Sequence, residues 1–211
     1  PEHRMINLPV RPLLLLISAP SGGGKTTLCE RLIAEFDTFT YSVSCTTRAP
    51  REGEVDGTDY HFITEAEFEQ RVRAGEFLEH ALVHGHRYGT LKRVIADAFR
   101  QGRDILMDID VQGAQQIRAQ IAACSPQDPM RRGFVDVFIA PPSIEVLRKR
   151  LQGRGKDAEA VIERRLKMAE NELPHWPEYQ YLIINDRLDA SYDALRAIVL
   201  AERRRVPPRE V

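Results

Sequence analysis

The sequence predicts an α/β fold, a parallel sheet with helices on both faces, and three observations carry that prediction. Short, unbroken apolar runs bounded by turn residues recur along the chain, the signature of strands buried on both faces. Between them, apolar residues return with helical spacing, so strand and helix alternate as parallel crossovers require. A chain of 211 residues, 43% hydrophobic and 29% charged, also suits one domain with inserted lobes and excludes a disordered polymer.

Each element follows in chain order. Residues 1–12 hold three prolines and no periodicity and read as an extended leader. Residues 13–17 are four leucines and an isoleucine, a strand buried on both faces. From Lys25 a helix is expected, with Leu28, Leu32, Ile33 and Phe36 on one side. A second strand is expected over 104–109, a helix over 111–121, and a third strand over 134–140, stopped by Pro141 and Pro142. The helix over 144–151 has Ser143 as its cap and Glu145 in its first turn. Residues 122–133 read as a loop, and 171–179, with Pro174, Trp176 and Pro177, as a break. A fourth strand over 181–184 and a closing helix over 190–205 complete the core. Two stretches interrupt the rhythm. Residues 43–91 are rich in Thr, Arg, Gly, Tyr and His, with short alternating runs and one helix near 65–74. Residues 150–165 hold Arg150, Gly153, Arg154, Gly155, Arg164 and Arg165. Both read as lobes inserted into a core of residues 13–42, 92–149 and 166–211.

Composition narrows the function. Thirty basic against 31 acidic residues leave a net charge of −1, which argues against a protein that coats nucleic acid. Cys29, Cys45 and Cys124 are far apart and form no CxxC pair, so neither a zinc framework nor a disulfide scaffold is expected, and a reducing cytoplasm fits. The spacing of His80, His84 and His86 suits no common zinc site. The apolar run at 13–17 is too short to span a bilayer, so no membrane partner is expected. Of the basic residues 25 are Arg and only 5 Lys, and Arg alone offers a planar fork for bidentate grip on phosphate.

Chemistry enters between the first strand and the first helix. Ser18-Ala19-Pro20-Ser21-Gly22-Gly23-Gly24-Lys25-Thr26-Thr27 meets the phosphate-loop pattern G-x-x-x-x-G-K-S/T except at its first glycine, which is Ala19. Glycines let backbone wrap a phosphate, and the helix N–H groups and dipole point at the anion. Lys25 is expected to reach the β- and γ-phosphates, and Thr26 to hold Mg²⁺ by its hydroxyl. The motif indicates a nucleoside triphosphate without choosing among kinase, GTPase and transporter.

A second anion site follows. Arg48 and Arg51 straddle Pro50 in Ser44-Cys45-Thr46-Thr47-Arg48-Ala49-Pro50-Arg51-Glu52-Gly53-Glu54, and two such forks can converge on one phosphate dianion, helped by the Tyr60 hydroxyl. Phe77-Leu78-Glu79-His80-Ala81 and Tyr88-Gly89-Thr90 come next, then Asp108-Ile109-Asp110-Val111-Gln112-Gly113. With these motifs the sequence resembles the guanylate kinase family, from about residue 14 to about residue 201. The resemblance implies a P-loop NTPase three-layer fold and transfer of the γ-phosphate of ATP to GMP, and to dGMP, with Mg²⁺. It implies an ATP site of Ser21, Gly22, Gly23, Gly24, Lys25, Thr26, Thr27 and Asn185. It implies a GMP-binding lobe over 43–91, where Arg48, Arg51, Tyr60 and Tyr88 hold the monophosphate and Ser44, Glu79 and Thr90 read the base. Asp108 belongs near GMP and the metal with Asp110 as its partner, which of the two orients the metal being open. Residues 150–165 match the family's lid, and Lys25, Arg48, Arg150, Arg154 and Arg165 its catalytic cations.

Elementary chemistry agrees with that division. Guanine presents adjacent N–H donors at N1 and N2, and one ionised carboxylate accepts both; adenine has no 2-amino group and a bare N1 acceptor. A buried Glu79 therefore discriminates between them. The nucleophile is a phosphate oxygen already ionised at neutral pH, so no Ser, His or Cys nucleophile is required. A GTPase switch is disfavoured because no N-K-x-D motif is present. A non-catalytic scaffold module is disfavoured because Lys25, Thr26, Arg150 and Arg154 are all retained. Oligomeric state is left open.

Overall fold

The computed structural model describes residues 11–83, 85–153 and 158–206. Strand β1 (Leu14–Ser18) leads through the glycine loop into helix α1 (Lys25–Glu35) and the short edge strand β2 (Phe39–Tyr41). A lobe then opens with β3 (Cys45–Thr46), β4 (His61–Phe62), α2 (Glu65–Arg73), β5 (Phe77–Val83) and β6 (His86–Leu91). The chain returns to the core through α3 (Lys92–Arg100), β7 (Asp104–Asp108), α4 (Val111–Ala123), α5 (Pro129–Gly133) and β8 (Phe134–Ala140). Helices α6 (Ile144–Gly153) and α7 (Glu159–Glu172), a 3₁₀ turn over Leu173–Glu178, β9 (Tyr181–Ile184) and α8 (Leu188–Glu202) finish it.

The core sheet has the order β2-β7-β1-β8-β9, all parallel. Alternate residues of each strand feed opposite layers. Leu13, Leu15, Ile17, Val135, Val137 and Ile139 pack with Leu28, Leu32, Leu195 and Val199 beneath α1 and α8. Leu14, Leu16, Ile105, Met107 and Phe138 pack with Ile95, Ala114, Ile117 and Ile121 beneath α3 and α4. That is the expected three-layer α/β fold, and it explains why residues 13–17 are all Leu or Ile: neither face meets water. Asp104 pins the opposite end of the sheet, accepting from the Leu13 amide at 2.7 Å and the Thr38 hydroxyl at 2.7 Å and pairing with Arg203.

Besides β2 and α3, sequence patterns missed three local features. The segment expected as a loop over 122–133 contains α5, which Asp128 caps by accepting from the Met130 amide at 2.8 Å with Pro129 following it. The expected break at 171–179 is helical at first, because α7 runs to Glu172 and tightens into the 3₁₀ turn. The closing helix starts at Leu188, earlier than expected.

The second sheet has the order β4-β3-β6-β5. Its own small core is Phe68, from α2, stacked on Phe77 at 4.4 Å with Cys45 and Leu91 beside them. Helix α2 starts at a reciprocal capping box: Thr64 caps the Glu67 amide while Glu67 accepts from the Thr64 amide at 2.8 Å. Helices α6 and α7 pair through Leu147, Leu151, Ile162, Leu166 and Ala169, a cluster distinct from the sheet layers. In an open parallel sheet, ligands bind beyond the carboxyl ends of the strands. The loops after β1 and β7, the start of the small lobe and the α6–α7 pair all gather there.

Candidate active site

The loop after β1 is shaped by backbone. The Gly23 amide donates to the Pro20 carbonyl at 2.8 Å, and Gly22 and Gly24 take positive φ of 90° and 92°. Gly24 is required twice over: a Cβ there falls 2.2 Å from Asn185 Nδ2. That same Nδ2 donates to the Gly23 carbonyl at 2.7 Å, and Asn185 is only 4% exposed. No side chain caps α1, so its first N–H groups remain for an anion. A cavity of about 410 Å³ forms against the loop, lined by Ser21 through Thr27 with Asp108, Arg165 and Glu172.

Lys25 Nζ is paired with Asp108 Oδ1, and both side chains are partly open to that cavity. Asp110 has a different position: its Oδ1 caps α4, accepting from the Gly113 amide at 2.8 Å. Two aspartates that look alike in sequence are thus separated, one in the phosphate cavity and one at a helix end. A second cavity, about 420 Å³, lies on the other side of Asp108 and is lined by Ser44, Tyr60 and Thr90 together with Tyr41 and Asp59. Asp108 belongs to the walls of both.

In the small lobe the Arg48 cation is held by a carboxylate. Arg48 Nη2 donates to Glu54 Oε1 at 2.8 Å, its Nη1 donates to the Ala49 carbonyl at 2.8 Å, and its guanidinium lies 5.5 Å from the centre of the Tyr60 ring. Glu54 and the Tyr88 hydroxyl together push the Arg48 guanidinium further up, and the same bond holds the Glu54 carboxyl below the usual carboxylate range. Tyr60 and Tyr88 meet edge to face at 5.8 Å. The Arg51 amide donates to Glu54 Oε2 at 2.7 Å while its side chain stays exposed. Glu79 is 7% exposed and faces Thr90 in the β5–β6 register. Burial pushes its carboxyl up, and hydrogen bonds from Thr90 pull it partly back. The Thr90 and Ser44 hydroxyls lie 3.3 Å apart, so Glu79 connects to the second cavity through Thr90 rather than lining it.

The lid cations divide. Arg165 Nε donates to the Ser21 hydroxyl at 3.1 Å and lines the phosphate cavity. Arg150 Nη2 instead donates to the Asn185 and Asp186 carbonyls at 2.7 and 3.2 Å and is not in the cavity wall. Arg154 and Gly155 lie outside the described residues, as do His84 and most of the leader. Four further residues take part without a role expected from the sequence. Glu54 accepts from the Arg48 guanidinium and from the Arg51 backbone amide. Glu172 lines the phosphate cavity, with its carboxyl raised by burial and by Asp110; its spacing of seven from Arg165 places both on one face of α7. Thr58 and Asp59 line the second cavity from the loop before β4.

For Mg²⁺ the donor chemistry fits. The Thr26 hydroxyl and the Asp108 carboxylate are hard oxygen donors lining one cavity. Among the described residues no group of three or more His, Cys, Asp or Glu could hold a metal ion. One or two protein oxygens, completed by substrate phosphates and water, are what Mg²⁺ takes in kinases.

A phosphate loop on one side of a carboxylate and a second polar cavity on the other define a phosphotransferase of the P-loop class, with separate donor and acceptor sites. Comparison with known proteins gives the particular family. The guanylate kinase family model matches residues 11–202. The guanylate kinase of Paramagnetospirillum magneticum is 48% identical over 193 residues, covering 92% of this chain and 86% of the relative. That of Cereibacter sphaeroides is 48% identical over 195 residues, covering 92% and 89%. The crystal structure of guanylate kinase from Anaplasma phagocytophilum superposes with a TM-score of 0.66 at 33% identity, over 94% of this chain and 89% of that one. The chain belongs to the guanylate kinase family, and its activity is ATP-dependent phosphorylation of GMP.

Proposed function

We propose that the transfer is carried out by fixed cations around Asp108, with ATP on the phosphate loop and GMP, or dGMP, in the small lobe. The observation that carries this reading is that Asp108, paired with Lys25, lines both cavities. A group in that position faces donor and acceptor phosphates at once. Residues 21–27 then hold the ATP phosphates through loop amides, Lys25 and the Thr26 and Thr27 hydroxyls. Asn185 acts on ATP through the loop it supports. Arg48, Arg51, Tyr60 and Tyr88 take the acceptor phosphate, and Ser44, Glu79 and Thr90 take guanine. The transition state is loose and negatively charged, so positioned cations contribute more than a base. Lys25 and Arg165 already face the phosphate cavity; Arg150 and Arg154 join them when residues 150–165 close as a lid and exclude water.

Thr26 and Asp108 would hold Mg²⁺, which when bound neutralises charge on the transferring phosphoryl group. Residues 43–91 act as the acceptor lobe on the remaining core. A cytoplasmic site of action is supported by the three free cysteines, Cys29 being buried with its thiol pushed up to about 12 by burial and Asp108. Among the described residues no helix is long and apolar enough to cross a membrane.

A coupled ADP-release assay across AMP, CMP, UMP, GMP and dGMP tests the acceptor reading. Turnover is expected with GMP and dGMP alone, and equal turnover of AMP overturns it. Excess chelator is expected to abolish the rate; an unchanged rate removes Thr26 and Asp108 from any metal role.

A further inference from the structure

Strand β5 ends its sheet on one side, in the order β4-β3-β6-β5, so half of its backbone groups face away from β6. At His80 those outward groups are met by one side chain. The His80 amide donates to Gln116 Oε1 at 3.1 Å, and Gln116 Nε2 donates to the His80 carbonyl at 3.1 Å. The carboxamide thus pairs with the strand as another peptide group would, covering the edge. Gln116 belongs to α4, so this bond pair fastens the small lobe to the core.

Its place in the sequence of contacts gives it a task. Residue 80 follows Glu79, and the β5–β6 register shifts between Phe77 and Glu79, the kind of irregularity that re-aims a side chain. Leu78, in that irregularity, packs into the core layer with Ala114 and Ile117 of α4. A Cβ at Gly113, one turn before Gln116, comes 3.7 Å from Glu79 Oε2, so the carboxylate lies over the start of α4. Glu79 is held by Thr90 on the β6 side. On the α4 side, β5 is held by Leu78 packing and by the Gln116 pair.

We propose that Gln116 is a positioning residue for guanine recognition: its amide sets β5 against α4 so that the Glu79 carboxylate stands where it meets the base. The inference rests on the reading of Glu79 as the guanine acceptor. Gln116→Met keeps length and volume but removes both bonds. Inosine monophosphate, which lacks the 2-amino group, reports how well the carboxylate is aimed. Expected in Gln116→Met is a fall in kcat/KM for GMP of about tenfold, the scale of two lost net hydrogen bonds. For inosine monophosphate the fall is smaller, so the preference for GMP shrinks, while KM for ATP is unchanged. Hydrogen exchange at the His80 amide accelerates in the folded protein. Gln116→Ala repeats the comparison without the thioether. An equal fall for both acceptors, or no fall, overturns the inference. Glu79→Gln run in parallel separates the two layers. If it too leaves the preference intact, the reading of Glu79 fails and takes this inference with it; if it abolishes the preference while Gln116→Met does not alter it, only the role of Gln116 fails.

Discussion

Replacing Asp108 by Asn separates catalysis from stability more cleanly than any other change at the site. The side chain keeps its shape and loses its charge. On the stability side the magnitude follows from exposure: the Asp108 side chain is 34% exposed and that of Lys25 19%. A pair so open to water is screened, and its loss costs about 1 kcal/mol or less, roughly 2–4 °C in melting midpoint for a chain of this length. On the catalytic side the charge is preorganised between donor and acceptor cavities. Removing one preorganised partner from a transition state of this type costs about 3–4 kcal/mol, a fall in kcat of about 10²–10³. Asp110→Asn is the matched control. Asn caps a helix as well as Asp does, so the bond to the Gly113 amide survives and kcat is expected within threefold of the parent. The assay is ADP release at saturating ATP and GMP, with a thermal melt of each variant. If Asp108→Asn keeps kcat within threefold, or Asp110→Asn loses as much, the assignment of Asp108 as the shared wall is refuted.

Other consequences follow from single contacts. Burial holds the Glu79 carboxyl above its ordinary value, and only the ionised form accepts both guanine N–H groups. The acid limb of kcat/KM for GMP is therefore expected above the usual carboxylate range and absent in Glu79→Gln. A raised carboxyl is a stability cost at neutral pH that protonation relieves, so Glu79→Gln should melt higher at pH 7 while binding GMP worse. Gly24→Ala places a Cβ on Asn185 Nδ2 in a left-handed conformation; that conformation alone costs about 1–2 kcal/mol, and KM for ATP should rise at least tenfold by initial-rate kinetics. Glu54→Gln removes the charge that orients Arg48, so KM for GMP should rise about three- to tenfold while KM for ATP holds.

The core was legible because its strands are buried on both faces. Residues 13–17 are apolar without interruption, Phe134–Ala140 is broken only by Asp136, and the phosphate loop follows the first of them, so sequence, burial and chemistry agree. Strand β2 escaped notice because three residues are too few for a pattern. Helix α3 left a readable signal, Val94, Ile95 and Ala98 at helical spacing, hidden by the tyrosine-, glycine- and threonine-rich β6 that runs into it without a break. Within the site, residue types were legible and pairings were not. The sequence puts Asp108 near GMP and the metal with Asp110 as its partner and leaves open which orients the metal; the start of α4 separates them, since a residue preceding the first helical turn has amides to cap and one two residues earlier does not. Glu54 has no role legible from sequence because a carboxylate six residues from Arg48 becomes its partner only once the turn between them is built. Gln116 and Glu172 lie in helices whose outward faces look alike until something packs on them.

Net charge near zero and a cationic site are compatible because four cations of the site have oxygen partners within the chain. Lys25 has Asp108, Arg48 has Glu54, Arg165 has the Ser21 hydroxyl, and Arg150 has two backbone carbonyls. These partners do not satisfy the cations. A lysine has three donors and an arginine five, so each retains donors after one or two are engaged. What the partner fixes is direction. A flexible cation that must be ordered by its substrate gives up side-chain entropy at that moment, up to about 2 kcal/mol for Lys or Arg; one already tethered has lost it during folding. The carboxylates also limit what else can bind, since a stray monoanion meets a neutralised pair, whereas a phosphate dianion can engage the remaining donors of two cations together. The excess of arginine over lysine is useful under this arrangement: a guanidinium can give one edge to Glu54 and still present another to phosphate, which an ammonium at the same place cannot do with fixed geometry.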